Sequence, residues 1–398
     1  MTVGIILTLC ILVLLAYVFD FTSAKTKIPS VILLLALGYL VKQLCTIFNI
    51  VLFDLSAVLP VLGTIGLILI VLEGSLELEL STEKLPLIGK SIWVALLPIF
   101  ILSFGVALTM HYCFGYGLQR ALANAIPLAI ISSSIAIPST RNFSSDQREF
   151  VIYESSISDI LGVIFFNFIT QHTSFGVLSF GLFFVELIVI VVISFVATGA
   201  LSFMLSRLQH HVKFVPIMFL VILVYEISKV FHLPSLVFIL VFGLFLNNLD
   251  KIKHLHFIQK LQPDVLRVEV KKFKELTIEA TFLIRALFFL LFGYLIKTDE
   301  LIATDTLTWS VGITAGIFIV RAIILKIAKL PLTPLVYVAP RGLITILLFL
   351  SLPLYLQIPL ISRPMIIQII ILSALVLMVG ALLNKKPVTA EATAEYPG

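Results

Sequence analysis

Residues 153–166 read YESSISDILGVIFF and lie inside an apolar segment long enough to cross a lipid bilayer. The stretch carries two carboxylates, Glu154 and Asp159, that are five residues apart. A charged side chain at membrane depth costs several kcal/mol unless it is paired or faces a water-filled cavity. This stretch therefore predicts a functional site within the membrane, centred on Asp159.

The composition of the whole chain is typical of a membrane protein. Of its 398 residues, 60% are hydrophobic and 12% are charged, and the mean hydropathy is +1.16. Soluble domains carry about 25% charged residues. The long apolar runs exclude a transmembrane β-barrel, whose strands are short and alternate in hydrophobicity. Cys10, Cys45 and Cys113 have neither metal-ligand nor disulfide spacing. We therefore predict an all-α polytopic membrane protein.

Polar and Pro/Gly breaks divide the apolar runs into 13 predicted spans. The basic segment 250–276, between spans 9 and 10, is interpreted as a solvated linker near anionic lipid. We place the spans near 2–22, 28–48, 55–76, 86–110, 120–140, 149–170, 176–206, 212–230, 234–249, 277–296, 306–329, 333–357 and 364–384.

These spans predict one membrane domain, residues 1–386, followed by a short cytoplasmic tail, 387–398. Within the domain we expect a first repeat at about 1–170, a linker helix at about 176–206 and a second repeat at about 212–386. If the N-terminus is outside, the inner segments hold 19 Lys and Arg residues and the outer segments hold 5. The positive-inside rule then predicts a cytoplasmic C-terminus. The expected location is the cell (inner) membrane.

Three arginines fall inside predicted spans: Arg285, Arg321 and Arg341 lie in spans 10, 11 and 12. Arginines within a membrane need partners, so this distribution predicts a charge-pairing network. Glu186 lies in span 7, and the sequence assigns it no role. The acids that we place at membrane depth are Glu73, Glu154, Asp159 and Glu186, with Glu226 and Glu279 as further candidates.

A short internal repeat relates span 2 to span 9. The Pro-Ser step and the glycine of Pro29-Ser30…Gly38 recur, 205 residues further on, in Pro234-Ser235…Gly243. Because span 9 comes seven spans after span 2, and seven is odd, the copies would cross the membrane in opposite directions. Inverted repeats of this kind are typical of secondary transporters. Chance similarity between two leucine-rich spans is the alternative.

The same repeat relates span 5 to span 12, and both contain helix-breaking residues. Span 5 carries the serine run 132–134 followed by Pro138, and span 12 carries Pro340, Arg341 and Gly342. Prolines are common in membrane helices, so the correspondence between the two halves carries the prediction. It predicts two discontinuous, crossing helices and a binding site between them. The serines are either helix-packing residues or ligands at a backbone break.

Helical geometry separates the roles of the two acids in span 6. At about 100° per residue, Ser155 and Asp159 share a face, whereas Glu154 and Asp159 point about 140° apart. Arg321 lies eight residues before the inner end of span 11, near the depth of Glu154. We interpret Glu154 and Arg321 as a structural ion pair that leaves Asp159 titratable. Arg285 enters span 10 by a similar distance and competes as the partner of Glu154.

The sequence resembles the monovalent cation–proton antiporters, the sodium/proton exchanger superfamily, over essentially all 13 spans. Its residues 154–159 match that family's Glu-Ser-x-x-Asn-Asp motif, with Ser158 in place of asparagine. Arg321 stands where the family has a basic residue paired with the motif's glutamate. Residues 340–342 match its Gly/Pro-Arg-Gly step, and residues 73–76 match a Glu-Gly-x-Leu sequence at the end of its third span.

This resemblance implies a dimer with a moving core domain, in which Asp159 binds Na⁺, K⁺ or H⁺ competitively and Ser155 adds an oxygen ligand. Ser134 and Glu73 are the further candidate ligands, and Glu73 is equally well read as the first acid of an inner loop. The family's Thr-Asp-Pro crossover is absent. The serine run at 132–134 is closer to the Ser-Ser-Thr-Ala crossover of the potassium-efflux branch.

The function predicted is exchange of Na⁺ or K⁺ for protons by alternating access at one mid-membrane aspartate. A hard cation prefers several oxygen ligands, which a carboxylate, serine hydroxyls and free carbonyls supply. The alternatives are a sodium-coupled symporter of an organic solute on the same fold, and a cation channel or sensor. We expect no enzymatic activity, no cofactor and no nucleic-acid partner; the expected partners are Na⁺, K⁺ or Li⁺, H⁺, the lipid bilayer and a second copy of the chain.

Overall fold

The computed structural model describes residues 2–26, 28–48, 55–140, 143–171, 177–207, 214–231, 233–252 and 263–383. All the regular secondary structure in these ranges is helical. The predicted tail 387–398 lies outside the described residues, as does the middle of the basic segment, 253–262. Some residues that support the predicted orientation, such as Arg141 and Lys213, also lie outside them.

Fourteen helices of seven residues or more build the described part of the chain, and each of the 13 predicted spans overlaps at least one of them. They are α1 (Thr2–Thr26), α2 (Ser30–Ile47), α3 (Val58–Glu77), α4 (Leu85–Phe114), α5 (Leu118–Ala129), α6 (Ser133–Ser139), α7 (Ser145–Gln171), α8 (Val177–Arg207), α9 (Phe214–Val230), α10 (Leu236–Asn247), α11 (Pro263–Leu295), α12 (Thr304–Ile327), α13 (Leu343–Ser351) and α14 (Arg363–Leu383). Nine helical segments of the described part are long and apolar enough to cross a bilayer, and shorter apolar helices accompany them.

The basic segment before span 10 is partly helical, which corrects its interpretation as a solvated linker. Helix α11 begins at Pro263, and proline is well tolerated in the first turn of a helix. Leu266, Val270 and Phe273 follow at helical spacing and are all buried. This apolar stripe lies among many Lys, Arg and Glu residues, so average hydropathy conceals it.

The helices pack into two bundles. The site bundle contains α4 to α7 and α12 to α14, and the flanking bundle contains α1 to α3 and α8 to α11. Helix α3 lies between them and contacts α6, α7 and α13 of the site bundle. At the periphery, large apolar side chains such as Phe195 and Val196 are exposed, because the surrounding solvent is lipid. Both predicted helix breaks therefore lie in the same bundle.

Two glycines allow unusually close helix contacts. A Cβ atom on Gly38 of α2 would lie 2.1 Å from the Leu290 carbonyl oxygen of α11, and one on Gly243 of α10 would lie 1.8 Å from the Ser75 hydroxyl of α3. Span 2 thus packs on span 10, and span 9 packs on span 3. Inverted repeats would pair these spans in this way. The boundaries of the two repeats stay a prediction.

Candidate functional site

The two interrupted spans meet at their breaks. Helix α5 ends at Ala129 and α6 begins at Ser133, while residues 338–342 are non-helical ahead of α13. The Ser132 N–H donates to the Pro340 carbonyl at 3.0 Å, which joins the two breaks through main-chain atoms. Gly342 lies at the same crossing, where a Cβ atom would come within 2.8 Å of the Ser132 hydroxyl.

Pro138 does not lie at the break, although the sequence predicted it there. It lies inside α6, six residues beyond Ser132. A proline near the end of a short helix removes one backbone donor without stopping the helix. The donor removed at Pro138 is the one that would serve the Ser134 carbonyl, four residues earlier. That carbonyl instead accepts a hydrogen bond from Arg285 Nη1 at 3.4 Å.

Arg341 closes the carboxyl end of α5. Its side chain is fully buried, and its Nε and Nη2 atoms donate to the carbonyls of Leu128 and Ala129 at 2.6 and 3.2 Å. Its Nη1 donates to the Ala339 carbonyl at 2.8 Å. A cation at this position satisfies free carbonyls and opposes the negative end of the helix dipole. Arg341 therefore stabilises the crossing as well as lying in it.

Asp159 is buried next to the crossing, and only one of its two carboxylate oxygens is hydrogen-bonded to it. Its Oδ2 atom accepts a hydrogen bond from the Ser133 N–H at 3.2 Å and another from the Ser133 hydroxyl. Its Oδ1 atom is also buried, and it has no hydrogen-bond partner among the described residues. One carboxylate oxygen thus fixes α7 to the start of α6, and the other is open.

The serine that contacts Asp159 is Ser133, which the sequence did not single out from its run. The Ser134 hydroxyl pairs with Ser132 Oγ at 2.8 Å, and the Ser155 hydroxyl donates to the Val151 carbonyl at 2.7 Å. Neither of these predicted ligands hydrogen-bonds to Asp159. Helical phase predicted the shared face, but a serine hydroxyl can instead bond to the preceding turn of its own helix.

Ser158 satisfies the backbone of the break. Its hydroxyl accepts a hydrogen bond from the Ile131 N–H at 3.0 Å, and both residues are buried. A buried N–H in an interrupted membrane helix requires such an acceptor. The residue that replaces the motif's asparagine therefore has a structural contact that the sequence did not reveal.

Glu154 and Arg321 lie in direct contact. Arg321 Nη1 and Nη2 donate to the two carboxylate oxygens of Glu154 at 2.6 and 3.0 Å. Arg321 Nε donates to the Leu335 carbonyl at 2.7 Å. The side chains are 1% and 2% exposed, so the two charges are almost fully removed from solvent. The paired, fork-like geometry is the strongest that arginine makes with a carboxylate.

Arg285, the competing candidate, has other partners. Its Nη2 atom lies 3.8 Å from Asp20 Oδ1, and its Nη1 atom faces the Ser134 carbonyl. The sequence reading missed Asp20 because predicted span 1 ended at residue 22, whereas α1 continues to Thr26. Asp20 therefore lies inside a helix rather than at its end.

The remaining candidates lie in the flanking bundle. Glu73 is partly buried on α3, beside Thr281 and within electrostatic reach of Arg285. Within the described ranges, no hydrogen bond or ion pair joins it to Asp159. Glu186 lies on α8. The described part of the chain also contains no group of three or more His, Cys, Asp or Glu side chains that could hold a metal ion.

Known structures with the same architecture include two of the sodium proton antiporter MjNhaP1 from Methanocaldococcus jannaschii. The structure at pH 8 has a TM-score of 0.66 at 16% identity and covers 96% of each chain. An electron-microscopy structure has a TM-score of 0.68 at 17% identity and covers 97% of this chain and all of the other. No curated protein matches the sequence. At these identities the likeness shows the sodium/proton antiporter fold.

The family model described as sodium/hydrogen exchanger, transmembrane, matches residues 10–386. That range includes both helix breaks, Asp159 and the Glu154–Arg321 pair. The chain therefore belongs to the sodium/hydrogen exchanger family.

Proposed function

We propose that the chain exchanges a monovalent cation, Na⁺ or K⁺, for protons by alternating access at Asp159. The observation that carries this proposal is the buried Asp159 carboxylate, with one oxygen held by Ser133 and the other without a partner among the described residues. Na⁺ is the first ion to test, because the two similar structures described above are of a sodium proton antiporter.

The surroundings of Asp159 favour competition between a cation and a proton. A buried carboxylate is costly while it is charged, and either a bound proton or a bound monovalent cation neutralises it. Both compete for the open Oδ1 atom. Hydroxyl oxygens at the crossing, including those of Ser132 and Ser134, supply the kind of ligand that a hard cation prefers.

The neighbouring acid supports an exchange of one cation for one proton. Glu154 is neutralised by Arg321 through two hydrogen bonds, so it is not available to a transported ion. Asp159 has no cationic side chain within ion-pair distance in the described structure. Only one carboxylate of α7 would then change its charge state during the cycle.

The test is exchange in proteoliposomes that contain a pH-sensitive dye. Addition of Na⁺, K⁺ or Li⁺ should dissipate an imposed pH gradient in vesicles with the wild-type chain. The Asp159→Asn variant should not respond, because its neutral amide neither carries a proton nor attracts a cation. Asp305→Asn makes the same change at an exposed acid in the first turn of α12 and should respond normally. Normal exchange by Asp159→Asn would disprove the proposed mechanism.

We also propose that the chain lies in the cell membrane as a dimer, with its N-terminus outside and its C-terminus in the cytoplasm. The excess of Lys and Arg in the predicted inner segments supports the orientation. Family membership supports transport across a membrane by a multi-pass protein.

A further inference from the structure

We propose that Arg285 is a positioning residue, which ties the flanking bundle to the Asp159 site through the carbonyl oxygen of Ser134. The proposal rests on cation–proton exchange at Asp159 and adds a residue outside the site bundle to its machinery. Arg285 touches neither Asp159 nor Glu154. It would act through α6, whose first residues hold the Asp159 carboxylate.

The contacts of Arg285 span the two bundles. Its Nη1 atom donates to the Ser134 carbonyl at 3.4 Å, and its Nη2 atom lies 3.8 Å from Asp20 Oδ1. The same Asp20 oxygen accepts a hydrogen bond from the Ser30 hydroxyl at 3.3 Å. The Arg285 and Asp20 side chains are 11% and 16% exposed. Asp20, Ser30 and Arg285 belong to α1, α2 and α11, whereas Ser134 belongs to the crossing.

The Ser134 carbonyl needs a donor from outside α6. In a continuous helix it would accept the N–H of the residue four positions later, but that residue is Pro138, which has none. A buried carbonyl without a donor is costly, so a guanidinium at this position stabilises α6. Pro138 and Arg285 therefore serve one interaction: the first frees the acceptor, and the second supplies the donor.

The carbonyl that Arg285 contacts is only one residue away from Ser133, which binds Asp159. Ser133, next to Ser134, donates to Asp159 Oδ2 from both its N–H and its hydroxyl. Helix α6 has only seven residues, so a force on the Ser134 carbonyl also moves Ser133. The Arg285 charge itself is directed toward Asp20, and Glu73 lies within its electrostatic reach. Asp20 and Glu73 thus offset the charge of Arg285, so that its guanidinium does not compete with a transported cation at Asp159.

The first experiment compares apparent KM and maximal rate for Na⁺ in proteoliposomes. Arg285→Gln should raise KM about tenfold, the equivalent of one hydrogen bond from a charged donor, while maximal rate changes much less. Arg285→Lys keeps a cationic donor and should restore most of the affinity. Arg148→Gln makes the same change at an exposed arginine of α7 and should leave KM unchanged. A variant that merely folds poorly would lose maximal rate at constant KM.

The second experiment uses Pro138→Ala, which gives the Ser134 carbonyl a donor inside α6. If both residues act on this one carbonyl, the double variant with Arg285→Gln should raise KM no more than Arg285→Gln alone. Multiplied effects of the two changes would contradict the proposal. So would an unchanged KM in Arg285→Gln while the wild type exchanges Na⁺ and Asp159→Asn does not. If the wild type itself exchanges no cation, the proposed function fails instead.

Discussion

Arg321 uses all three of its guanidinium nitrogens on buried acceptors at the centre of the site bundle. Two go to Glu154 and the third goes to the Leu335 carbonyl, at the start of the interrupted twelfth span. Moving two charges out of water is expensive, and their attraction and hydrogen bonds only offset that cost. The pair therefore fixes the relative position of α7 and α12, and removing one partner leaves an isolated buried charge.

Glu154→Gln should destabilise the protein by about 3–5 kcal/mol, because the Arg321 charge loses its counter-ion in a buried setting. Thermal unfolding in detergent measures the loss. The double variant Glu154→Leu with Arg321→Met removes both charges and should unfold closer to the wild type than either single variant. If the single change at Glu154 leaves the unfolding temperature unaltered, the pair has no structural role.

At this scale, some features of the site could be predicted from the sequence and others could not. Helical phase and the number of unpaired arginines predicted that Glu154 and Asp159 have different surroundings. They could not choose between Arg321 and Arg285, because that choice depends on how helices far apart in sequence pack together. Nor could they identify Ser133, since the rotation of a short helix after a break decides which of three adjacent serines faces Asp159.

At the scale of helices, contacts at glycine decide which elements can approach each other. Gly38 lies against the main chain of α11, where the carbonyl of Leu290 occupies the space of a Cβ atom. Small residues allow close approach where the lipid provides no hydrophobic force between helices. The sequence repeat singled out Gly38 and Gly243, but only the three-dimensional arrangement identifies α11 and α3 as their partners.

Gly38→Ala should force α2 and α11 apart, because its Cβ atom would lie 2.1 Å from a backbone oxygen that cannot rotate away. We expect a loss of about 1–3 kcal/mol, typical of overpacking. Gly316→Ala is the matched control within α12, since nothing lies within 4 Å of its Cβ position. That control should be neutral or slightly stabilising. Equal unfolding temperatures for the two variants would contradict this packing argument.

The segment after α3 carries an ion-pair network that responds to pH. Hydrogen bonds from Lys84 at 2.9 Å and Lys251 at 3.3 Å hold the pKa of Glu79 below its ordinary value of 4.5. A lowered folded-state pKa gives stability that is present above pH 4.5 and is lost as the pH falls through the lowered pKa. Glu79 is half-exposed, so the gain is at most about 1 kcal/mol.

Glu79→Gln should therefore be slightly less stable than the wild type at pH 6, and the difference should vanish as the solution is acidified. Unfolding temperatures measured from pH 6 to pH 3 provide the comparison. Glu83→Gln, at an exposed acid of the same segment, should follow the wild-type curve. A constant difference between wild type and Glu79→Gln across this range would show that the ion pairs contribute nothing that titrates.

For the molecule as a whole, long apolar runs predicted the helical membrane fold, and each predicted span overlaps a helix of the described structure. Proline and glycine at matching places predicted that two spans are broken. The start of α11 at Pro263 was missed because its apolar stripe is set among charges. The grouping of helices into two bundles could not be predicted, because it depends on contacts between distant segments rather than on any local pattern.

The predicted orientation places Cys113, which is exposed near the end of α4, on the outer side of the membrane. A membrane-impermeant thiol reagent added to intact cells should therefore label the wild-type chain. Because Cys45 lies near the outer end of predicted span 2, the comparison is made in a chain with Cys10→Ser and Cys45→Ser, where adding Cys113→Ser should abolish the label. Labelling of Cys113 only in inside-out vesicles would reverse the proposed orientation.

The hydrogen bond from Ser132 to Pro340 links two main-chain atoms, so it requires no particular side chain at either position. Replacing either residue leaves this bond in place as long as the backbone path is kept and position 132, the donor, is not proline. The contact between the two helix breaks therefore tolerates a wide range of side chains at both positions. The bond also connects the two interrupted spans directly through their backbones. If the chain works by the alternating access proposed above, the two interrupted spans should move together.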